Sequence, residues 1–216
     1  NDYELGNYAE SINHYNRVNS YNIKILALTN TSSVLVKTDG IENAISYLDS
    51  QINNYSETAI KENFILKQIS ILNDYELYNQ IIELSTKYLI NDPFNPKLLY
   101  ARAMAYEELE EIKLMERDLM KILKIDKKNA NTLNALGYSL TIHTRRYDEA
   151  YSLIYEAHLY DPGSAAILDS LAWVEYKRGN YVNALKFAES SYARDKDKEI
   201  VLHYCQILVK NKSYNK

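Results

Sequence analysis

The sequence predicts an all-α chain built as a solenoid of helix–turn–helix units. Three observations carry that expectation. The first is an internal repeat, which has to be sought before any other feature because a missed repeat misassigns the fold. Setting "RRYDEAYSLIYEAHLYDPGS" against "RGNYVNALKFAESSYARDKD" places Ala150 on Ala184, Ile154 on Ala188, Ala157 on Ser191 and Asp161 on Asp195, each 34 residues apart. Going backwards, Asp161 falls on Asp126 at a spacing of 35 and Asp126 on Asp92 at 34, the extra residue lying in the turn "TIHTRRYD". The second observation is helical periodicity inside each unit: Tyr100, Ala103 and Tyr106, then Leu133, Leu136, Gly137 and Leu140, then Ala150, Ile154 and Ala157. The third is the placement of breakers. Pro93, Pro96 and Pro162 lie between units, while Gly6, Gly40 and Gly179 lie a few residues before the second helix of a pair. No strand-type alternation of useful length competes with this pattern.

The elements follow in order. A leading half-repeat occupies 1–20, with a helix over about Tyr8 to Val18. Helix pairs are expected at 21–38 with 41–54, 57–72 with 75–91, 95–109 with 111–125, 129–143 with 147–160, and 164–178 with 181–194. These define five units at 21–55, 56–93, 94–127, 128–162 and 163–196. The first pairs are less regular than the rest. Residues 197–216 form a terminal helix and tail, and Lys198, Glu199, Lys210 and Lys212 give that helix the polar face of a capping element. Small residues recur where two helices of a pair would meet: Ala103, Gly137 and Ala172 on first helices, Ala150 and Ala184 on second helices. A glycine inside a helix costs about 1 kcal/mol relative to alanine, so Gly137 implies a close helix–helix contact.

Composition excludes several classes. With 46% hydrophobic and 25% charged residues over 216 positions, the chain is globular, neither disordered nor collagenous. One cysteine rules out an internal disulfide framework and a thiolate metal cluster. A net charge of −4 offers no basic face for nucleic acid. The densest basic stretch, Lys121, Lys124, Lys127 and Lys128, closes a helix, where cations offset the carbonyl end of the dipole. The longest apolar run, Ile23 to Leu28, is far short of the ~20 residues that span a bilayer. The chain starts at Asn1 with no signal-peptide core, which implies that a leader or a larger amino-terminal region has been removed. Against 3 phenylalanines and 1 tryptophan stand 21 tyrosines. Most of them, such as Tyr8, Tyr106, Tyr147, Tyr181 and Tyr192, fall at positions expected to pack helix on helix.

The unit resembles the tetratricopeptide repeat, a helix–turn–helix pattern of about 34 residues. "LNALGYSL" followed by "YDEAYSLIYEAHLYDP" carries the Leu-Gly, the alanine of the second helix and the terminal Asp-Pro. Departures occur where Lys127 and Lys196 replace the closing proline and where Ala103 and Ala172 replace the first-helix glycine. The resemblance implies a right-handed α-α superhelix with first helices lining a concave groove. A narrower resemblance, carried by "RAMAYE", "ERDL", "NALGYSL" and "ILDSLAWV", is to proteobacterial tetratricopeptide outer-membrane lipoproteins that act as adaptors for a carboxyl-terminal processing protease. The lipidated cysteine at the start of such proteins is absent here.

Groove positions implied by the resemblance are Lys97, Tyr100, Met104 and Glu107; Asn131, Asn134, Tyr138 and Thr141; and Asp169, Trp173, Tyr176 and Lys177. Within each set the residues share one helix face. Aromatic rings supply rigid contact area and amides bind a peptide backbone. The competing reading is that Tyr100, Tyr138 and Trp173 pack between neighbouring pairs. A lysine ladder for clamping a terminal carboxylate is missing.

No catalytic, metal or cofactor site is expected. His14, His143, His158 and His203 are scattered over different units, and no HExxH, GxxxxGK[ST] or GxGxxG occurs. His203 and Cys205, two apart, do not share a helix face. Glu107–Glu108 and Glu110–Glu111 read as a solvated acidic helix end. The sequence thus points to a non-catalytic scaffold whose partner is a protein or extended peptide, with homo-oligomerisation open. In the adaptor reading it resides on the periplasmic side of the outer membrane. The alternatives are a cytoplasmic assembly module, a self-associating structural protein, and the regulatory region of a larger enzyme.

Overall fold

A computed structural model describes residues 7–16 and 21–214, and every described element is an α-helix or a turn. In chain order these are α1 (Tyr8–Asn16), α2 (Tyr21–Thr38), α3 (Ile41–Asn54), α4 (Thr58–Asp74), α5 (Tyr78–Leu89), α6 (Pro96–Glu108), α7 (Ile112–Ile125), α8 (Ala130–His143), α9 (Tyr147–Tyr160), α10 (Ala165–Arg178), α11 (Tyr181–Tyr192) and α12 (Lys198–Tyr214). A helix is therefore present at each of the expected positions, with ends displaced by a few residues. Gly6 and the end of the expected leading helix lie outside the described residues. The chain divides into two compact units, Asn1–Leu84 and Ser85–Lys216.

In the amino-terminal unit α2 packs on α3 and α3 on α4. The amphipathic α3 buries Ala44, Leu48 and Ile52, spaced at i, i+4, i+8, while α4 buries residues on most of its circumference, from Ile60 to Leu72. Gln68 is fully buried in α4, and its amide donates to Ile45 O at 3.2 Å and Asp49 Oδ1 at 3.0 Å on α3. The turn from α2 to α3 passes through Gly40 at φ 91°, a left-handed position that favours glycine. The expected second helix at 75 starts later, at Tyr78, because the chain first turns through Glu76 at φ 57°.

In the carboxyl-terminal unit the repeat is set by its ends and its contacts. Asn95, Asn129 and Ser164 occupy equivalent positions before α6, α8 and α10. Each accepts backbone N–H groups of the first turn: Lys97 and Leu98, Thr132, and Ile167. Such caps satisfy donors with no partner inside the helix. The recurring aspartates close the preceding helices. Asp92 accepts from the Asn95 amide at 3.1 Å, and Asp126 from Lys128 N at 3.1 Å and the Asn129 amide at 3.2 Å. Asp195 accepts from Asp197 N at 3.2 Å. The spacing read from the sequence is thus a spacing of turn and capping hydrogen bonds.

The close contact implied by Gly137 is present. A Cβ on Gly137 would lie 2.5 Å from Ile154 Cγ1 and 2.8 Å from the Ala150 carbonyl oxygen on α9. Ala103, Ala150, Ala172, Ala184 and Ala188 are at most 1% exposed at the corresponding contacts. One strong interaction went unseen in the sequence. Arg102 on α6 and Asp118 on α7 are both buried and form a bidentate ion pair, Nε–Oδ2 at 2.6 Å and the second nitrogen to Oδ1 at 3.0 Å. The remaining guanidinium nitrogen donates to Thr86 Oγ1 on α5 at 2.8 Å, so three helices share one charge pair.

The tyrosines differ from expectation. Among the described residues none is fully buried; Tyr8, Tyr106, Tyr147, Tyr181 and Tyr192 are all half-buried. The rings cover helix seams and leave the hydroxyl at the edge, as their amphipathic shape favours. Fully buried volume is supplied by Phe64, Met115, Leu119, Leu140, Ile154 and Leu171 and their like.

Two substitutions test this account. Gly137→Ala gains helix propensity but pushes a methyl into backbone, and the net change expected is a loss of about 1–3 kcal/mol in urea unfolding. Asp118→Asn leaves the buried Arg102 guanidinium without its counter-charge, and a loss of about 3–5 kcal/mol is expected in the same measurement.

Candidate functional site

Two rows of side chains run across the first helices of the carboxyl-terminal unit and onto α12. One is Tyr100, Asn134, Asp169 and His203; the other is Met104, Tyr138, Trp173 and Ile207, each at spacings of 34, 35 and 34. Because the helices repeat, the same helix face recurs on α6, α8, α10 and α12, and one residue type after another occupies it.

Toward α6 and α8 this face is accessible. Lys97 and Asn131 are exposed, and Tyr100, Met104, Asn134 and Tyr138 are half-buried. Toward α10 it is closed, which corrects two of the expected groove positions. Asp169 is 5% and Trp173 8% exposed, because α12 lies against them. His203 Nδ1 is 2.7 Å from Asp169 Oδ2, and the His203 ring stacks on Trp173 with centroids 4.0 Å apart at 14°. The other face of this arrangement carries Tyr176, stacked on Trp173 at 5.0 Å, and Lys177, whose ammonium lies 4.8 Å from the Trp173 centroid. Tyr176 is half-buried and packs with this core cluster, while Lys177 stays exposed. Tyr138 donates its hydroxyl to Glu199 Oε1 and so ties α8 to α12 across α10. Thr141 is also withdrawn: it is buried and donates back to Gly137 O at 2.9 Å.

The electrostatics follow the same gradient. Tyr138 is pushed well above the ordinary phenol range, first by burial and then by the Glu199 carboxylate that accepts its hydrogen bond, with Asp169 and Glu107 adding to it. Burial, assisted by Glu107, also raises Tyr100. Glu107 corrects the expectation of a freely solvated acid. It is half-buried, and burial pushes its carboxyl above the ordinary 4.5, opposed by Ser139 and by His143, whose Nε2 lies 3.5 Å away. Three polar atoms along these rows, Asn134 Oδ1, Asp169 Oδ1 and Trp173 Nε1, are enclosed without a hydrogen-bond partner. Such atoms are few in folded proteins and each costs about 1–3 kcal/mol.

His203 and Glu199 were missed as members of this site, although the 34-residue step from Asp169 to His203 is legible in the sequence. Cys205 is exposed on α12 while His203 is buried, in keeping with their lying on different faces. Among the described residues no group of three or more His, Cys, Asp or Glu side chains converges to hold a metal ion. No described helix is long and apolar enough to cross a membrane. In the amino-terminal unit a cleft of about 460 Å³ lies between α2 and α4, lined by Ser33, Val36, Lys37, Lys67, Ile71, Asp74 and Tyr75.

Among curated proteins the chain is similar to the TPR repeat-containing protein PA4667 of Pseudomonas aeruginosa, with 31% identity over 195 residues covering 90% of this chain. The chain has the tetratricopeptide repeat fold. It spans 33% of the length of that curated relative. No protein-family model matches the sequence. Among solved structures, a TPR protein from Parabacteroides merdae ATCC 43184 shares the fold at TM-score 0.71 and 14% identity, over 98% of this chain and 83% of its own. TTC0263, a thermophilic TPR protein of Thermus thermophilus, superposes at 0.67 with 13% identity, over 86% and 99%. YrrB, described as a TPR protein with an unusual peptide-binding site, superposes at 0.59 with 18% identity, over 92% and 97%. These likenesses show the TPR solenoid fold.

The Glu107 environment gives a signed pH dependence. Its folded-state pKa lies above the unfolded value, so burial costs nothing below about pH 4.5 and costs progressively more as pH rises through the folded value. Glu107→Gln is therefore expected to gain stability relative to wild type between about pH 5 and 8 and to match it near pH 4. Thermal melts over that range measure the difference, and a gap that widens on acidification contradicts the assignment.

Proposed function

We propose that the chain is a non-catalytic scaffold that binds a protein or extended peptide along the first-helix face of α6 and α8. The observation that carries this reading is the change along the two side-chain rows. Tyr100, Met104 and Asn134 stay partly accessible, whereas the equivalent residues on α10, Asp169 and Trp173, are covered by α12. An accessible strip of ring, thioether and amide groups beside a closed, rigid cluster suits an extended chain. Aromatic anchors give contact area at small entropic cost, and amides meet the ligand backbone. The enclosed Asn134 Oδ1 adds an acceptor that a small rotation offers to a ligand N–H. Lys97 and Lys177 flank the strip on separate helices and supply no ladder of cations for a terminal carboxylate.

The finer proposal is an adaptor on the periplasmic side of a bacterial outer membrane that brings a substrate to a carboxyl-terminal processing protease. Resemblance in "RAMAYE", "ERDL", "NALGYSL" and "ILDSLAWV" supports it. The mechanism is raised effective concentration, which needs two bound chains and no chemistry from this one.

Affinity capture from the source cell, comparing wild type with Tyr100→Ala/Met104→Ala, tests both levels. The captured partner is expected to fall about tenfold with the variant, a change of about 1.4 kcal/mol, while circular dichroism stays unchanged. Equal capture overturns the groove assignment, and capture without a carboxyl-terminal processing protease overturns the adaptor assignment. Trp173→Ala serves as the contrast, because loss of that buried ring is expected to lower cooperative melting instead.

A further inference from the structure

We propose that the groove along α6 and α8 takes its peptide by a cationic side chain, a Lys or Arg seated at Glu107 beside Tyr100 and Tyr138. The proposal rests on the groove reading above and names the chemistry of its ligand. Tyr100, Met104 and Glu107 lie at i, i+4 and i+7 on α6, so they form one stripe. All three are half-buried, as is Tyr138 on α8. Rings and a thioether suit the aliphatic stem of a lysine or arginine, and the carboxylate at the end of the stripe meets its charged head.

The net charges around this stripe are of one sign. α8 carries no Lys, Arg, Asp or Glu, so the field over it is set by its neighbours. α6 supplies Glu107, α10 Asp169 and α12 Glu199, and all three carboxylates act on the Tyr138 phenol. Glu107 acts on Tyr100 as well. Cancellation within the protein is partial. Glu199 accepts from the Tyr138 hydroxyl, a neutral donor that leaves its charge intact. His143 Nε2 stands 3.5 Å from Glu107 Oε1, longer than an ordinary hydrogen bond. Asp169 has His203 on one oxygen. The two lysines of the expected groove stand at its ends, Lys97 in the first turn of α6 and Lys177 in the last turn of α10.

Hydrogen bonding points to the same class of ligand. Asn134 and Asp169 are equivalent residues on α8 and α10 and continue the row that begins at Tyr100. Asn134 Oδ1 and Asp169 Oδ1 are both enclosed without a donor, and Asp169 is only 5% exposed. Acceptors left over along a row call for a group that only donates. Ammonium and guanidinium groups are of that kind, whereas a carboxylate would add to the excess. The third enclosed atom, Trp173 Nε1, is itself a donor and belongs to the other row. A half-buried carboxylate without a full counter-charge costs stability, so Glu107 is explained by a ligand that brings the charge.

Selection from a random heptapeptide library displayed on phage, with the full chain as bait, tests the proposal. Peptides whose binding is lost with Tyr100→Ala/Met104→Ala are expected to share a Lys or Arg at one position. Alanine at that position is expected to weaken the synthetic peptide about tenfold in fluorescence anisotropy. Glu107→Gln is expected to cause the same loss for the parent peptide and little further loss for the alanine one, since the two groups form one pair. Glu107→Gln is also expected to stabilise the fold, so its loss of binding is not a loss of structure. Binders sensitive to Tyr100→Ala/Met104→Ala that share no Lys or Arg, or that are indifferent to Glu107→Gln, overturn this proposal and leave the groove reading standing. A library without any binder sensitive to Tyr100→Ala/Met104→Ala overturns both.

Discussion

The constraint on which the carboxyl-terminal unit rests is the close approach of two helices within each pair. Gly137 allows α8 to come within van der Waals contact of the Ala150 carbonyl on α9, a separation that no side chain tolerates. Alanine at 103 and 172 relaxes the approach by one methyl without changing its character. Once the pair is this close, the larger residues are committed. Leu133, Leu136, Leu140 and Ile154 have only the space between helices to fill, and they are 3% exposed or less. The helix pair is thus a rigid block, and successive blocks can differ only in what they present outward and to one another.

Contacts between blocks use different chemistry. α5, α6 and α7 are joined by Arg102, Asp118 and Thr86, a buried charge pair whose geometry admits one relative placement. Removing either partner leaves an uncompensated charge, so the pair enforces registry more than it adds stability. Between α10 and α12 registry comes from Asp169, His203 and the stacked Trp173 ring. Glu175 acts similarly inside its pair, accepting from Arg178 at 3.2 Å and from the Asn180 amide at 2.6 Å. Polar residues in this array therefore fix how blocks stack, while small apolar residues fix how each block is made.

That division explains what was legible in the sequence. The helices and the recurring aspartates are local, with every partner within a few residues, so spacing alone revealed them. Gly137 was legible too, because a glycine in mid-helix has few explanations. The Arg102–Asp118 pair was hidden, since two charges sixteen residues apart look like solvated helix faces until the helices are packed. Trp173 and Asp169 were placed on the right helix face but in the wrong environment. The face was readable from the repeat; its covering depended on α12, whose Glu199 read merely as part of a polar cap and His203 as one of four scattered histidines. Glu107 failed for the same reason, as its burial arises from neighbouring helices and not from its own.

The two ends of the side-chain rows then acquire opposite roles. A repeat array offers the same face in every block, so a ligand could in principle register at any of them. Here the degeneracy is removed at one end, where Asp169, His203 and Trp173 satisfy one another and Tyr138 closes over them to Glu199. What remains accessible is the α6–α8 stretch, with Tyr100, Met104 and Asn131 at its surface. Covering part of a periodic surface in this way defines a single register for whatever binds the rest. The same contacts pin α12, through His203 to Asp169 and through the Asn211 amide, which donates to Tyr181 O at 2.9 Å.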